Sequence, residues 1–211
     1  NMNHFGSCLF LFKTISQTVK IGKRTNLLEE LMFTIRKLDN GIKTIIQKVP
    51  YLNSTTVGII VESGSFYESS DNNGISHFIE HMLFKGTKNR TARQIAETID
   101  DIGGQLNAFT SKEHTCYYAK VLSEHLNIAV EVLSDMLINS NFELNEIEKE
   151  KGVIIEEINM YQDFPEDLAF ELLTKMLYGE MGLAKPILVT EDTVISFNRE
   201  QLLDYYFQKY N

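Results

Sequence analysis

The sequence predicts an α+β domain in which a mostly antiparallel sheet carries helices packed on one face. Three observations lead there. Short β-branched runs linked by hairpin signals fill the region from Phe33 to Glu62. Long segments with a 3.6-residue apolar period fill the region after Ser123. The regular strand–helix–strand alternation of a doubly wound parallel sheet is missing. At 211 residues the chain holds one domain plus an extra segment, and 43% hydrophobic residues suffice for a core without a disulfide scaffold. No internal repeat or low-complexity tract interrupts it.

The extra segment is expected at the N-terminus. Residues 1–31 carry Lys13, Lys20, Lys23 and Arg24 against Glu29 and Glu30, so they are basic in an otherwise acidic chain. They show little apolar periodicity and read as a leader or as upstream sequence before a natural start at Met32. A mitochondrial transit peptide is the alternative, although such peptides are richer in arginine. This stretch is set aside from the fold, leaving 32–211 as the domain.

The elements follow in order. Phe33 to Leu38 reads as a strand, Asp39-Asn40-Gly41 as a type I′ hairpin turn, and Ile42 to Val49 as the partner strand. Thr55 to Glu62 is a β-branched central strand. A Gly- and Ser-rich loop, Ser63 to Gly74, opens a helix from Ile75 to Phe84. A second helix from about Thr91 to Ile102 stops at Gly103-Gly104. Gln105 to Thr110 and Thr115 to Leu122 read as strands. Helices are expected at about Ser123 to Ile138, Asn145 to Tyr161, Glu166 to Tyr178 and Arg199 to Lys209, with Pro165 and Pro186 as punctuation.

Charge and cysteine usage exclude several classes. A net charge of −9 is opposite to what a phosphate-neutralising nucleic-acid binder needs. Cys8 and Cys116 form no CxxC pair, so a thiolate zinc site or disulfide framework is not expected, and a reducing compartment fits. The apolar run Cys8 to Phe12 is too short to span a bilayer, and no membrane span is expected. Asn53-Ser54-Thr55 and Asn89-Arg90-Thr91 match the glycosylation sequon but read as ordinary loop residues without a secretory signal. His4, His114 and His125 have no partner at ligand spacing, and Tyr161, Tyr117 and Phe109 read as packing residues of core or cleft.

The chemistry begins in Ile75-Ser76-His77-Phe78-Ile79-Glu80-His81-Met82-Leu83, which contains H-x-x-E-H. With His77 at zero on a helical wheel, His81 falls at about 40° and Glu80 at about −60°, while the apolar residues fill the opposite side. Two imidazoles at i, i+4 can reach one metal ion, and imidazole nitrogen suits zinc. The carboxylate beside them is placed to take a proton from a metal-bound water. An ordinary helix with a His- and Glu-bearing polar face is the plainer alternative.

A hydrolytic zinc site needs a third protein ligand and an open position for water. The helix around Glu150-Lys151-Gly152-Val153-Ile154-Ile155-Glu156-Glu157-Ile158 is the best donor. Ile147, Ile154, Ile158 and Tyr161 share one stripe, within about 40° of Ile154. Glu150 and Glu157 fall at about −40° and −60°, bordering that stripe, whereas Glu156 at about 200° faces away. Two carboxylates turned toward a core are costly unless paired or metal-bound. Glu157 is therefore the expected ligand and Glu150 an acid orienting one of the histidines; solvated carboxylates at the border of the stripe are the alternative.

The H-x-x-E-H order is the inverse of the zincin motif and is the inverzincin signature. With Glu157 downstream, the chain from Phe33 onward resembles the pitrilysin-type metallopeptidases. That family includes insulin-degrading enzyme, the mitochondrial processing peptidase β-subunit and bacterial processing-peptidase relatives. The resemblance is strongest in Gly74 to Thr87, in Gly103-Gly104-Gln105-Leu106-Asn107-Ala108-Phe109-Thr110, and from Val153 to Tyr161. It implies a processing-peptidase-like metallohydrolase fold, one Zn2+ per chain held by His77, His81 and Glu157, Glu80 as general base, and Glu150 in support. It also implies that peptide adds as a strand along a sheet edge, which places Asn107, Ala108, Phe109 and Thr110 at the substrate. Members of the family pair such a domain with a second, similar one that contributes an Arg and a Tyr near the substrate. This chain would be the N-terminal catalytic half, truncated or completed by another chain. It departs from the family in Leu183-Ala184-Lys185-Pro186-Ile187-Leu188-Val189, where Ala184 and Val189 replace glycines, so a changed loop is expected.

The resulting expectation is a zinc endopeptidase domain acting on extended peptides or presequences. It would need a second half-domain in cis or trans and would sit in a bacterial-type cytoplasm, or in the mitochondrial matrix if residues 1–31 are a transit peptide. The alternatives are a non-catalytic structural or partner subunit of the same fold and, more remotely, a metal-dependent hydrolase of non-peptide substrates.

Overall fold

The computed structural model describes residues 6–13, 33–49, 51–179 and 181–210. Backbone contacts divide the chain into two compact units. One comprises 1–62, 96–107 and 116–134, the other 63–95, 108–115 and 135–211.

The first unit is built on strands. The sheet runs β2-β3-β1-β4-β6-β5, with β1 Gly6–Lys13, β2 Phe33–Lys37, β3 Lys43–Val49, β4 Ser54–Val61, β5 Gln105–Thr110 and β6 Thr115–Leu122. β2 and β3 pair antiparallel, with Ile35 opposite Ile45. The loop between them is not the expected type I′ turn. Asn40 keeps a negative φ, since Phe142 is the one non-glycine residue with a positive φ among the described residues, and Gly41 alone takes the left-handed conformation at φ 91°. Gly41 N–H donates to the Leu38 carbonyl at 2.9 Å and Leu38 N–H to Ile42 at 2.8 Å, which closes a three-residue loop ending in a left-handed glycine.

The larger correction concerns the segment set aside as a leader. Gly6–Lys13 is a strand, antiparallel to β3 and parallel to β4, with Phe10 opposite both Ile45 and Gly58. Excluding all of 1–31 from the fold therefore fails for these residues. The run Cys8–Phe12, too short for a membrane, has the length and unbroken apolar character of a strand flanked on both sides. The remainder of the expected leader lies outside the described residues.

β4 and β6 supply buried Val57, Val61, Tyr117, Ala119 and Val121, and the start of α3, Leu126–Asn139, supplies Ala129, Val132 and Leu133. The Thr55 and Ser123 hydroxyls meet at 2.9 Å. The expected helix at Ser123 begins instead with a 3-10 turn, Ser123–His125.

The second unit is mainly helical, so strands and helices segregate as α+β requires. Its helices are α1 Ile75–Met82, α4 Leu144–Gln162, α5 Pro165–Tyr178, α6 Glu191–Ser196 and α7 Arg199–Tyr210. α2, Ala92–Asp100, belongs to both units and opens on a capping box, with Thr91 Oγ1 accepting from Gln94 N–H and Gln94 Oε1 accepting from Thr91 N–H. The periodicity missed α6, although Thr190-Glu191-Asp192 is a legible start: the Thr190 hydroxyl caps Thr193 N–H and two acids follow in the first turn.

α1 is anchored at both ends. Six of its eight residues are buried. Gly74 precedes it at φ 90°, where a Cβ would lie 2.6 Å from the Val189 side chain. The Glu68 carboxylate, 3% exposed, accepts from Gly74 N–H at 2.7 Å, Ser76 N–H at 2.9 Å and the Asn73 amide at 2.7 Å. A buried anion thus takes up helix-start N–H groups that have no intrahelical partner, at the end where the helix dipole favours negative charge. The loop after α1 is tied down by Asp135, which accepts from Thr87 (2.7 Å), Asn89 (2.5 Å), Arg90 (2.9 Å) and Asn139 (2.8 Å). Burial works against its charge, but these donors outweigh it and hold Asp135 at about 2.

In the loop expected to change at Ala184 and Val189, neither position takes a conformation that calls for glycine. Neither residue has a positive φ, and Gly182–Ala184 forms a 3-10 turn with Ala184 buried. Among the described residues no helix is long and apolar enough to cross a membrane.

Candidate metal centre

α1 and α4 pack against each other in the second unit, and their facing polar residues form one cluster. α4 presents Ile147, Ile154 and Ile158 to the interior, each at most 5% exposed. That stripe turns Glu150 inward to 2% exposure, leaves Glu157 half-buried and sends Glu156 to solvent. The helical angles of the two neighbouring glutamates therefore translate directly into their different surroundings.

Three ligand-type atoms converge. His77 Nε2 lies 3.2 Å from His81 Nε2, and Glu157 Oε2 lies 3.7 Å from the first and 3.4 Å from the second. A tetrahedral zinc with bonds of about 2.0–2.1 Å holds its ligand atoms about 3.3–3.4 Å apart. The triangle has that size, and two imidazoles with one carboxylate match the donor set of hydrolytic zinc sites. The residues fit the ion.

The histidines are electrostatically unequal. Burial and then the neighbouring His81 hold His77 down at about 4. Burial also acts against charge on His81, but hydrogen bonds to Glu150 and Glu157 outweigh it and lift His81 to about 9. Without metal, His81 is therefore the imidazolium: Nδ1–H donates to Glu150 Oε1 at 2.7 Å, and Nε2–H faces both Glu157 Oε2 at 3.4 Å and neutral His77 Nε2 at 3.2 Å. The His81 hydrogen bond draws the Glu157 carboxyl below its ordinary range. For Glu150 burial pushes up, but bonds from His81 and Lys85 prevail and bring it down.

Glu80 takes no part in that triangle. Its Oε2 accepts a 2.5 Å bond from the Thr110 hydroxyl, and burial raises its pKa against that bond. Thr115 donates its own hydroxyl proton to the Ser63 carbonyl, leaving Thr110's for Glu80.

A cavity of about 520 Å3 opens beside these groups. His77, Glu80 and Glu157 form one wall, Ala108, Phe109, Thr110 and Lys112 another, and Tyr161, Phe170, Glu171 and Pro186 to Leu188 enclose the rest. Of the strand residues expected at the substrate, Ala108, Phe109 and Thr110 line it; Asn107, exposed, does not. The sequence reading missed the contact of Thr110 with Glu80, the cap made by Glu68, and Lys85, whose ammonium lies 2.6 Å from Glu150 Oε2. Lys85 stands four residues after His81, in the turn that follows α1.

Comparison with known proteins points the same way. Residues 43–191 match the family described as Insulinase (Peptidase family M16). The chain is 52% identical over 171 residues to the "Uncharacterized zinc protease YmxG" of Bacillus subtilis, covering 81% of this chain and 42% of that protein. Among solved structures, a protease from Helicobacter pylori superposes with a TM-score of 0.77 at 22% identity, over 86% of this chain and 44% of that one. The first half of the periplasmic protease PqqL from Escherichia coli gives 0.75 at 24% identity, over 85% and 40%. The chain thus spans less than half the length of these relatives. With a family match across most of its length and over half its residues shared with a zinc protease in the aligned stretch, the chain belongs to the insulinase family of peptidases, M16.

Proposed function

We propose that this chain is the zinc-binding, catalytic half of an endopeptidase that cleaves extended peptides. The observation that carries the reading is the triangle of His77 Nε2, His81 Nε2 and Glu157 Oε2 at zinc-ligand separations, with Glu80 beside it on the cavity wall.

His77, His81 and Glu157 would hold one zinc ion, which when bound polarises water and the scissile carbonyl. Glu150 keeps the His81 ring oriented, with Nδ1–H bonded and Nε2 turned to the ion. Glu80 takes the proton from the attacking water and returns it to the leaving amine; its partly buried carboxyl, raised in pKa, suits both steps. Thr110 fixes which carboxylate oxygen is free to do so. β5 is the terminal strand of the sheet, so an extended peptide can add along it with Ala108 and Phe109 at the cavity. The similarity to a first half, and the length of the relatives, support completion of the site by a second, similar domain in cis or trans. A sequence with two cysteines and no CxxC pair supports a reducing compartment, the cytoplasm; the likeness to a periplasmic protein, at 24% identity, speaks to fold alone.

The test is cleavage of a quenched peptide by the chain alone and with a C-terminal half. Glu80→Gln should retain about one zinc per chain and lose about 10²–10⁴-fold in turnover. Undiminished cleavage by Glu80→Gln would remove the general-base role. A wild type that binds zinc but never cleaves, with either arrangement, would instead mark a non-catalytic partner subunit.

A further inference from the structure

Glu150 is buried to 2% exposure and uses both oxygens: Oε1 on His81 Nδ1 at 2.7 Å, Oε2 on Lys85 Nζ at 2.6 Å. A carboxylate so far from water needs a fixed counter-charge, and one with two oxygens can rotate unless both are held. His81 alone fixes one oxygen. The second fixed point comes from Lys85, three residues past the end of α1, so two residues of one short segment hold the two oxygens of the same carboxylate. The Glu157 carboxylate is near enough to repel that of Glu150. Among the described residues Lys85 is the one Lys or Arg ion-paired to Glu150.

We infer that Lys85 is a positioning residue for the metal centre: by holding Glu150 Oε2 it keeps Oε1 on His81 Nδ1, and thereby keeps His81 Nε2 aimed at the ion. Lys85 touches neither metal nor substrate and acts through Glu150. This rests on the metal-site reading, and the experiment separates the two.

Zinc affinity of the full chain is measured by competition with a chromogenic chelator, which needs no peptidase activity. Loss of a group behind a metal-binding histidine typically costs 10–100-fold in affinity. Lys85→Met is expected to weaken zinc binding about tenfold, at the low end because it acts one residue further out. Lys85→Arg, which keeps the charge, is expected to restore most of that loss. Lys149→Met removes an exposed cation of α4 paired with Glu146 and should change nothing. In a Glu150→Gln background, itself weakened, adding Lys85→Met should have no further effect, because the two residues act in series. Thermal unfolding of the metal-free variants identifies any that fail to fold, and the Glu150→Gln pair, which lacks the buried anion, still decides the matter. Unchanged affinity in Lys85→Met, or an equal loss with and without Glu150, would overturn the role of Lys85. A wild type that takes up no zinc would bring down the metal-site reading and this inference with it.

Discussion

α1 and α5 lie in the same unit, and both are rich in apolar residues, yet their fates are opposite. α1 buries six of eight residues, with Phe78 and Ile79 at 1% and 0% exposure. α5 is nearly twice as long and has no buried residue; Phe170, Leu172, Met176 and Leu177 are each at least 63% exposed. The difference comes from what holds each helix. α1 is anchored at its start by Glu68, along its polar face by Glu150, and just beyond its end by the loop that Asp135 gathers. α5 begins on Pro165, and Leu168, Glu171 and Thr174 are its only half-buried positions. Apolar composition alone does not make a core helix. The polar anchors fall on the helix that carries the site, together with the buried apolar face.

That contrast can be broken experimentally, beginning with the largest effect. Phe78→Ala should cost about 3–5 kcal/mol, as for other buried aromatic residues, read by chemical denaturation. Asp135→Ala should cost about 2 kcal/mol, the equivalent of lowering its pKa from 3.8 to about 2. The sign follows from the depressed value: the contribution is complete above pH 4 and disappears as pH falls toward about 2, so wild type and variant should converge in acid.

Zinc uptake should be pH-dependent because His81, at about 9, must release its proton to bind, while His77, at about 4, is already neutral. Affinity should fall about tenfold, or about 1.4 kcal/mol, per pH unit below 9. Calorimetry at pH 7 in buffers of different ionisation enthalpy should show about one proton released per zinc; release of none would contradict the imidazolium assignment. The smallest effect is expected on α5: Met176→Gln, at 84% exposure, should stay within about 0.5 kcal/mol of wild type. A loss comparable to that of Phe78→Ala would show that α5 is covered and erase the contrast.

Several features were legible before any coordinates. The separation of Glu157 from Glu156 follows from a 100° step, and the structure gives the two residues the surroundings that step requires. The strand–helix order from Phe33 to Tyr210 needs few changes for the same reason, since apolar period is a local property of the chain. The errors are also local in origin. Gly41 permits more than one hairpin turn, and β1 is hard to read because a short apolar run in a basic segment carries no period of its own. Only its neighbours β3 and β4 reveal what the run is for.

By itself the sequence determined the periods, the caps and the spacing of H-x-x-E-H, because dihedral preference and side-chain direction along one helix depend on residues a few positions apart. It also supplied the residues proposed to bind metal, through their angles on two separate helices. Tertiary structure alone decided the distances between those helices, the grip of Lys85 on Glu150, the bond from Thr110 to Glu80 and the buried anion at the start of α1. Each of these joins groups from different segments, and no local rule encodes where two segments meet; that depends on which faces the packed core leaves side by side.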